Sequence, residues 1–385
     1  MDSDDRTYDL IFAGTGLAGL SLVMRLIDNG WVKGKKILLA DRDAKKTNDR
    51  TWCFWELGDG HFEALVHARW DRMWFRSHHG SELLGLSPYS YKLIRGIDLY
   101  EHCFRAIGNE PGITFLQTPI DRVFSDPGDG TGIMAGGKTY KAKYVLNSIR
   151  NDAQLHRNRS VDLLQHFKGW WIRTAGEVFD PSIGTLMDFS TPQRNGATFF
   201  YVLPVSSSEA LIEYTVFSED LLPREEYDHA LREHLQRLQI GDHEILQEEF
   251  GVIPMTDAAF PAGQGNIINI GTAGGCTKPS TGYTFQFVQE HSASIADALS
   301  RNIDPRKVAV PHSGRSRFYD AVFLNVLKND PTGSDRIFSQ LFMKNRPDRI
   351  LRFLEGKSSF GEDLSVIGSM PTLPFLKAAI GLAWP

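Results

Sequence analysis

The chain has 385 residues, enough for two domains sharing one interface, and its 42% hydrophobic and 23% charged residues are an ordinary globular balance. A net charge of −5, with no basic run interleaved with aromatics, excludes a general nucleic-acid binder. Three cysteines (Cys53, Cys103, Cys276) are too few and too scattered for a disulfide framework or a zinc site, and the twelve histidines show no metal spacing, so no metal is expected.

From the N-terminus, Tyr8 to Ala13 read as a buried strand running into Gly14-Thr15-Gly16-Leu17-Ala18-Gly19. Leu17, Leu20, Met24 and Ile27 then recur at helical spacing until Gly30, and Lys36 to Ala40 reads as a second strand closed by Asp41. This βαβ context gives the Gly14-x-Gly16-x-x-Gly19 pattern its meaning. Gly14 permits the tight turn, Gly16 lets a pyrophosphate approach the backbone, and Gly19 allows helix and strand to pack closely. The helix N-terminus supplies N–H donors, and Asp41 would accept hydrogen bonds from ribose hydroxyls. An acidic residue there favours FAD or NAD over NADP. The early position of the motif, a β-rich insertion and a late return to the first domain favour FAD.

Met73 to Ser77 and Tyr89 to Ile94 read as strands, Asp98 to Ile107 as a helix, and Ile113 to Leu116 and Asp121 to Phe124 as strands again. Turn signals at 126–130 and at Gly136-Gly137 frame a hairpin returning through Tyr144-Val145-Leu146. Beyond about residue 160 the pattern turns to β alternation: Lys168 to Arg173, Gly184 to Phe189, Thr198 to Val205 and Glu209 to Phe217. A polar helix follows from Pro223 to Leu238, then a strand from Asn266 to Gly271, a glycine-rich turn, and a helix from Tyr283 to about Leu299. The expected fold is α/β: a Rossmann-like FAD-binding domain with an inserted antiparallel β-sheet substrate domain. The expected boundaries are 1–160 and 245–310 for the FAD-binding domain, 161–244 for the inserted sheet, and 311–385 for a C-terminal helical region.

The order of several motifs resembles that of the lycopene cyclase family. Asn48-Asp49-Arg50-Thr51-Trp52-Cys53-Phe54-Trp55-Glu56 resembles the family's region after the second strand, and Leu186-Met187-Asp188-Phe189 its Met-Asp motif. Phe199 to Pro204 and Leu211-Ile212-Glu213-Tyr214-Thr215 are similar to the paired strands that follow. Glu249-Phe250-Gly251-Val252-Ile253-Pro254-Met255 is similar to the next motif. Gly271-Thr272-Ala273-Gly274-Gly275 and Pro279-Ser280-Thr281-Gly282-Tyr283 are similar to the C-terminal flavin-binding motif. The resemblance implies the flavoprotein fold shared with aromatic hydroxylases, in a protein that closes β-ionone rings on lycopene without net redox, using reduced FAD with NADPH or NADH as reductant. The implied setting is the cytoplasm, peripheral on the inner membrane.

The resemblance puts the key carboxylate at Glu213. The following family position, a second acid, is Tyr214 here, and Lys278 stands where an uncharged residue or histidine is usual. Asp188 is a second catalytic candidate, or else a buried structural hydrogen-bonding partner. Arg50, Gly271, Gly282 and Tyr283 join Gly14, Gly16, Gly19 and Asp41 as cofactor candidates, although Arg50 could equally be solvated. Trp52, Trp55, Trp171 and Tyr201 are candidates for the substrate wall, with core packing the plainer reading of each tryptophan.

A proton-initiated cyclisation needs an acid, a base, negative potential for a carbocation and exclusion of water. Aromatic faces stabilise cations by about 0.5 to 2 kcal/mol each. Two competing readings stay open: a redox flavoenzyme (monooxygenase, halogenase or prenyl reductase), and a carotenoid-binding protein without turnover. The opening MDSDDR has no apolar stretch behind it and reads as no secretory signal. No apolar run reaches the roughly 18 residues of a spanning helix. The apolar segment Met370 to Pro385, with Leu373, Phe375, Leu376, Ala379, Ile380, Leu382 and Trp384, reads either as an interfacial anchor or as a helix packed on the protein.

Overall fold

The computed structural model describes residues 7–151, 161–312 and 314–383. The strand Thr7–Ala13 is buried on both faces along its apolar run from Leu10 to Ala13, as expected of a central parallel strand. It pairs in parallel with Ile37–Asp41 on one side and Lys138–Asn147 on the other. Ile113–Gln117 extends the sheet beyond Ile37–Asp41, and the late strand Ile267–Asn269 extends it beyond Lys138–Asn147, so the chain does return to its first sheet. The hairpin Ile120–Asp126/Gly130–Ala135 pairs antiparallel onto Lys138–Asn147. Helices Leu17–Asp28, Gly96–Gly108 and Phe285–Ser300 share one core with this sheet, through Leu20, Val23, Leu99, Val288 and Ile295.

The second sheet is larger than the sequence suggests. Its order is His243–Thr256, Asp162–Thr174, Glu209–Ser218, Ala197–Pro204, Ile183–Asp188, Arg72–Ser77 and Gly80–Gly85. Two parts of this sheet cross the expected boundaries. The boundary at 245 cuts a strand that runs in register with Asp162–Thr174 from His243 to Thr256. Arg72–Ser77 and Gly80–Gly85, expected to belong to the FAD-binding segment, also lie in this sheet, Arg72–Ser77 pairing in parallel with Ile183–Asp188. Period-2 alternation identifies a strand but not its partner, and these partners lie far away in sequence. The expected strand 266–271 is shorter, since Gly271–Gly274 is a 3₁₀ turn, and the following helix begins at Phe285.

One face of the second sheet is covered by the helix Arg224–Arg237, whose Tyr227, Leu231 and Leu235 pack on Ile212, Tyr214 and Val216. The other face packs against a three-stranded sheet (Thr51–Leu57, Tyr89–Arg95, Ala68–Trp70) and against the C-terminal helices. Those helices are Gly314–Asn329, Ser334–Lys344, Pro347–Leu354, Phe360–Ser369 and Thr372–Ala383. The last is packed on the protein along one face and leaves apolar residues exposed on another. Phe375 and Ala378 are buried against Val322 and Val326, whereas Leu373, Leu376 and Ile380 are exposed. Trp384 lies outside the described residues. No helix among the described residues is long and apolar enough to cross a membrane.

Candidate active site

The glycine turn is built as its spacing requires. Gly14 adopts φ +96°, and a Cβ there would come within 2.3 Å of Ser148 Oγ. A Cβ on Gly19 would lie 2.5 Å from the Gly14 carbonyl oxygen, so helix and turn touch where only a hydrogen fits. At Gly16 a Cβ would meet nothing within 4 Å, because that position faces an open cavity. Asp41 holds the turn from behind: one carboxylate oxygen accepts from the Thr15 amide at 2.7 Å and from its hydroxyl at 3.0 Å.

The cavity in front of Gly16 has a volume of about 590 Å³ and runs from the turn to the face of the second sheet. Gly16, Leu17 and Ala18 line one end, with Gly271 and Thr272 beside them, and Arg50, Trp52, Gly282 and Tyr283 line its walls. Gln165, buried on the sheet face, presents to it an Oε1 with no hydrogen-bond partner among the described residues. An elongated space with an N–H-rich helix terminus at one end and an unsatisfied acceptor along its wall fits a dinucleotide cofactor.

At the sheet end stand two carboxylates. Glu213 pairs across the ladder with Tyr201 on one side and Gly169 on the other. Gly169 in turn pairs with Glu249 on the edge strand. Residues directly opposed in a sheet project to the same face. The row Tyr201, Glu213, Gly169, Glu249 therefore aims one phenol and two carboxyls into the cavity, and all but Gly169 line it. A Cβ on Gly169 would sit 3.0 Å from both Glu249 Cγ and Leu211 Cδ1 and 3.2 Å from Glu249 Oε1, so the missing side chain is what lets Glu249 lie over the middle strand, toward the strand of Glu213.

The residual accessibility of Glu213 is toward the cavity it lines, and Glu249 is buried. Each accepts one hydroxyl hydrogen bond at 2.8 Å, Glu213 from Thr215 and Glu249 from Thr51. Burial pushes both carboxyls well above the usual carboxylate range; the Glu249 carboxylate adds to the effect on Glu213, and the Arg50 guanidinium offsets part of it at Glu249. Around them, the hydroxyls of Tyr91 and Tyr283 lie 3.2 Å apart, and burial raises the phenols of Tyr91, Tyr201 and Tyr283.

A second cavity, about 310 Å³, begins at the far side of Thr281 and Tyr283, which line both spaces. Its lining is almost entirely apolar: Trp55, Leu186, Met187, Phe323, Phe338 and Phe342, ending at Phe375, Leu376 and Ala379 of the last helix. Trp55 packs against Tyr283 at the junction, with ring centroids 4.3 Å apart. Lys278 and Asp320 are the charged residues of the lining, and they neutralise each other at 2.6 Å.

The structure thus brings Gly16, Arg50, Trp52, Tyr201, Glu213, Gly271, Gly282 and Tyr283 to one cavity and Trp55 to its apolar neighbour. Gly14, Gly19 and Asp41 line neither space but build and brace the turn at its end; two further candidates stand apart altogether. Asp188 lines neither space; it caps its own strand end by accepting from the Ser190 amide at 2.8 Å, on the way to His234. Trp171 is buried in the core against His67, with ring centroids 6.2 Å apart, and likewise lines neither. Sequence reasoning did not assign roles to Glu249, Thr51, Gly169 or Gln165. Glu249 and Thr51 carried a signal, the place of each in a resembling motif; Gly169 and Gln165 owe their position to ladder register.

A family model described as "Lycopene cyclase protein" matches residues 9–380. The chain belongs to the lycopene cyclase family. It is 28% identical to a protein named lycopene beta-cyclase from Pantoea ananas, over 96% of this chain and 97% of that one. A second lycopene beta-cyclase, from Paracoccus sp., is 24% identical over 96% and 95% of the two chains. Among solved structures, a geranylgeranyl bacteriochlorophyll reductase-like protein from Thermoplasma acidophilum superposes with a TM-score of 0.63 at 13% identity, covering 97% of this chain and 98% of that one. A flavin-dependent halogenase from Xanthomonas campestris gives a TM-score of 0.61 at 11% identity, covering 98% and 94%. The fold of this lycopene cyclase family member is therefore the one shared by flavin-dependent reductases and halogenases.

Proposed function

We propose that this chain closes β-ionone rings on lycopene without net oxidation or reduction, with reduced FAD bound between the glycine turn and the Gly271–Gly274 segment. The observation that carries the reading is the position of Glu213: a buried carboxyl at the sheet end of the cofactor-shaped cavity, next to the passage into an apolar one.

Gly16 and the N-terminus of helix Leu17–Asp28 would hold the pyrophosphate, Asp41 the adenosine ribose, and Arg50, Gly282 and Tyr283 the flavin end. When bound in its reduced form, kept so by NADPH or NADH, the cofactor supplies a planar anionic ring system beside a developing cation. Glu213, held protonated near neutral pH, delivers a proton to the terminal double bond of the polyene; the inner double bond then attacks the tertiary cation and a ring proton leaves. One proton enters and one departs, and no electrons are exchanged. Tyr91, Tyr201, Tyr283 and Trp52 line the reaction space and keep out the water that would trap the cation as an alcohol.

The apolar cavity is the place for the remaining hydrocarbon, and its mouth at the last helix, beside exposed Leu376, is the route from the membrane. Peripheral attachment through Leu373, Leu376 and Ile380 follows from that reading. The experiment is anaerobic incubation with FAD, dithionite or NADPH, and lycopene in liposomes, with products separated by chromatography. Cyclised product of unchanged mass, absent with oxidised flavin and lost in Glu213→Gln, supports the proposal. Nicotinamide consumption in proportion to product refutes it in favour of a redox flavoenzyme.

A further inference from the structure

We infer that Glu249 is the second carboxylate of the reaction, facing Glu213 across the gap that Gly169 leaves in the sheet, so that one acid gives the proton and the other receives it. The inference rests on the cyclase reading above and assigns a residue to its second proton transfer.

The geometry carries it. The backbones of Glu213 and Glu249 are separated by the single strand Asp162–Thr174, about 9.5 Å in all, at a level set by their shared register with Gly169. Glu249 covers part of that distance, because its carboxyl lies over Gly169, where a side chain would displace it. Any other residue there would fill the space, since an added methyl would already press on Glu249 and Leu211. Both acids open onto the same cavity.

Their surroundings differ in a way that divides the labour. Glu249 accepts from Thr51 and feels the Arg50 guanidinium, both of which favour its anion, and the Asp49 carboxylate paired with Arg50 opposes them less strongly. Glu213 accepts from Thr215 alone, and its neighbours Tyr201 and Tyr283 carry no positive charge. Two like charges this close in a buried site hold one proton between them in preference to none. Glu213 is thus the acid and Glu249 the base.

In the cycle, the Glu213 O–H bond breaks and a C–H bond forms at the terminal double bond. The carbon–carbon ring bond forms next, and a ring C–H bond breaks with its proton passing to Glu249. Glu213 ends ionised and Glu249 protonated, and proton return across the gap over Gly169 restores the pair. Nothing is oxidised or reduced.

The test compares wild type and Glu249→Gln, which preserves shape and the acceptor for Thr51, in cyclisation of liposomal lycopene with reduced FAD. FAD binding is followed by flavin absorbance. The inference expects at least a 100-fold loss of cyclisation with unchanged FAD affinity. It also expects the infrared carboxyl band of Glu213 to titrate at lower pH once its anionic neighbour is gone. Cyclisation at the wild-type rate, or an unmoved Glu213 titration, overturns it.

If Glu249→Gln does not fold, Glu249→Asp carries the test. It keeps the charge and withdraws it by about 1.5 Å, and its cyclisation is expected to fall at least tenfold with FAD binding retained; an unchanged rate overturns the inference. Wild-type protein that leaves lycopene uncyclised refutes the proposed function, and this inference with it. An active wild type with an equally active Glu249→Gln refutes the inference alone.

Discussion

Glu213 and Tyr214, adjacent in sequence, point to opposite faces of one strand. Glu213 opens onto the cavity, while Tyr214 is buried beneath the helix Arg224–Arg237, its ring 4.9 Å from Phe200 and 6.2 Å from Tyr227. Period-2 geometry forbids two consecutive strand residues from serving one site. The tyrosine at the family's second acidic position therefore removes nothing from this cavity.

Restoring the acid should accordingly fail. Tyr214→Glu would bury a carboxylate among Phe200, Tyr227 and Val216, where the charges acting on that position are those of Glu226 and Glu233. We expect destabilisation of about 2–4 kcal/mol in urea unfolding and no gain in cyclisation. Tyr214→Phe should cost within about 1 kcal/mol. An increase in turnover by Tyr214→Glu would show that the strand's faces are assigned wrongly.

Glu213 and Glu249 should leave a signature in stability against pH. Burial and mutual repulsion keep both protonated above the pH at which the unfolded chain releases its carboxyl protons. Across that window the folded state binds more protons than the unfolded one, so the pair's contribution to stability is greatest at low pH and is lost as pH rises toward and through neutrality. Glu213→Gln removes one titrating group and relieves the other. Its stability relative to wild type is expected to rise by about 1–3 kcal/mol between about pH 5 and about pH 9. Chemical denaturation at the two pH values checks this, and a relative stability that falls with pH would contradict it.

The glycine turn separates fold from binding. Gly19→Ala drives a methyl into the Gly14 carbonyl and should destabilise the apoprotein by about 2 kcal/mol or more. Gly16→Ala meets no protein atom and should leave apoprotein stability within about 0.5 kcal/mol of wild type, while weakening FAD binding at least tenfold. Thermal shift without cofactor and flavin fluorescence titration distinguish the two. Equal FAD affinity in Gly16→Ala would place the cofactor elsewhere.

The sequence makes the first βαβ unit legible because strand, glycine turn, helix and Asp41 are close neighbours whose signals reinforce one another. Glu213 is legible through its motif. What stays hidden is pairing. Nothing in the run from His243 to Thr256 says that it will lie beside Asp162–Thr174, so neither the sheet's true edge nor the meeting of Glu249 with Glu213 can be read in advance. Asp188, singled out by its Met-Asp motif, and Trp171 lie outside both cavities for a related reason: the strand position and packing around each direct it elsewhere.

Lys278, unusual for the family, is explained by Asp320. The ammonium donates to Asp320 at 2.6 Å and to the Ser316 hydroxyl at 3.0 Å, with both charges almost fully buried. Lys278→Met would strand an aspartate whose Oδ2 already has no hydrogen-bond partner among the described residues. We expect a loss of about 3–5 kcal/mol, largely recovered in the double variant Lys278→Met/Asp320→Leu, because an apolar pair of similar volume avoids the desolvation of two ions. A double variant no more stable than the single one would show that packing, not charge, governs the site.

The last helix offers a test of how substrate arrives. Leu373, Leu376 and Ile380 are 79%, 53% and 54% exposed, share one face of helix Thr372–Ala383, and stand where the apolar cavity ends. Removing all three, as Leu373→Ser/Leu376→Ser/Ile380→Ser, costs the fold little, because these side chains already face outward. Full burial of one such side chain in an apolar phase is worth about 1.5–3 kcal/mol, so three lost together should weaken co-sedimentation with liposomes at least tenfold even with partial insertion. Cyclisation of liposomal lycopene should fall in parallel, while lycopene presented in detergent micelles is turned over at near the wild-type rate. That split isolates membrane docking from chemistry. Equal losses in liposomes and micelles would mean that the three side chains shape the cavity mouth itself, and unchanged co-sedimentation would move the membrane contact to another surface.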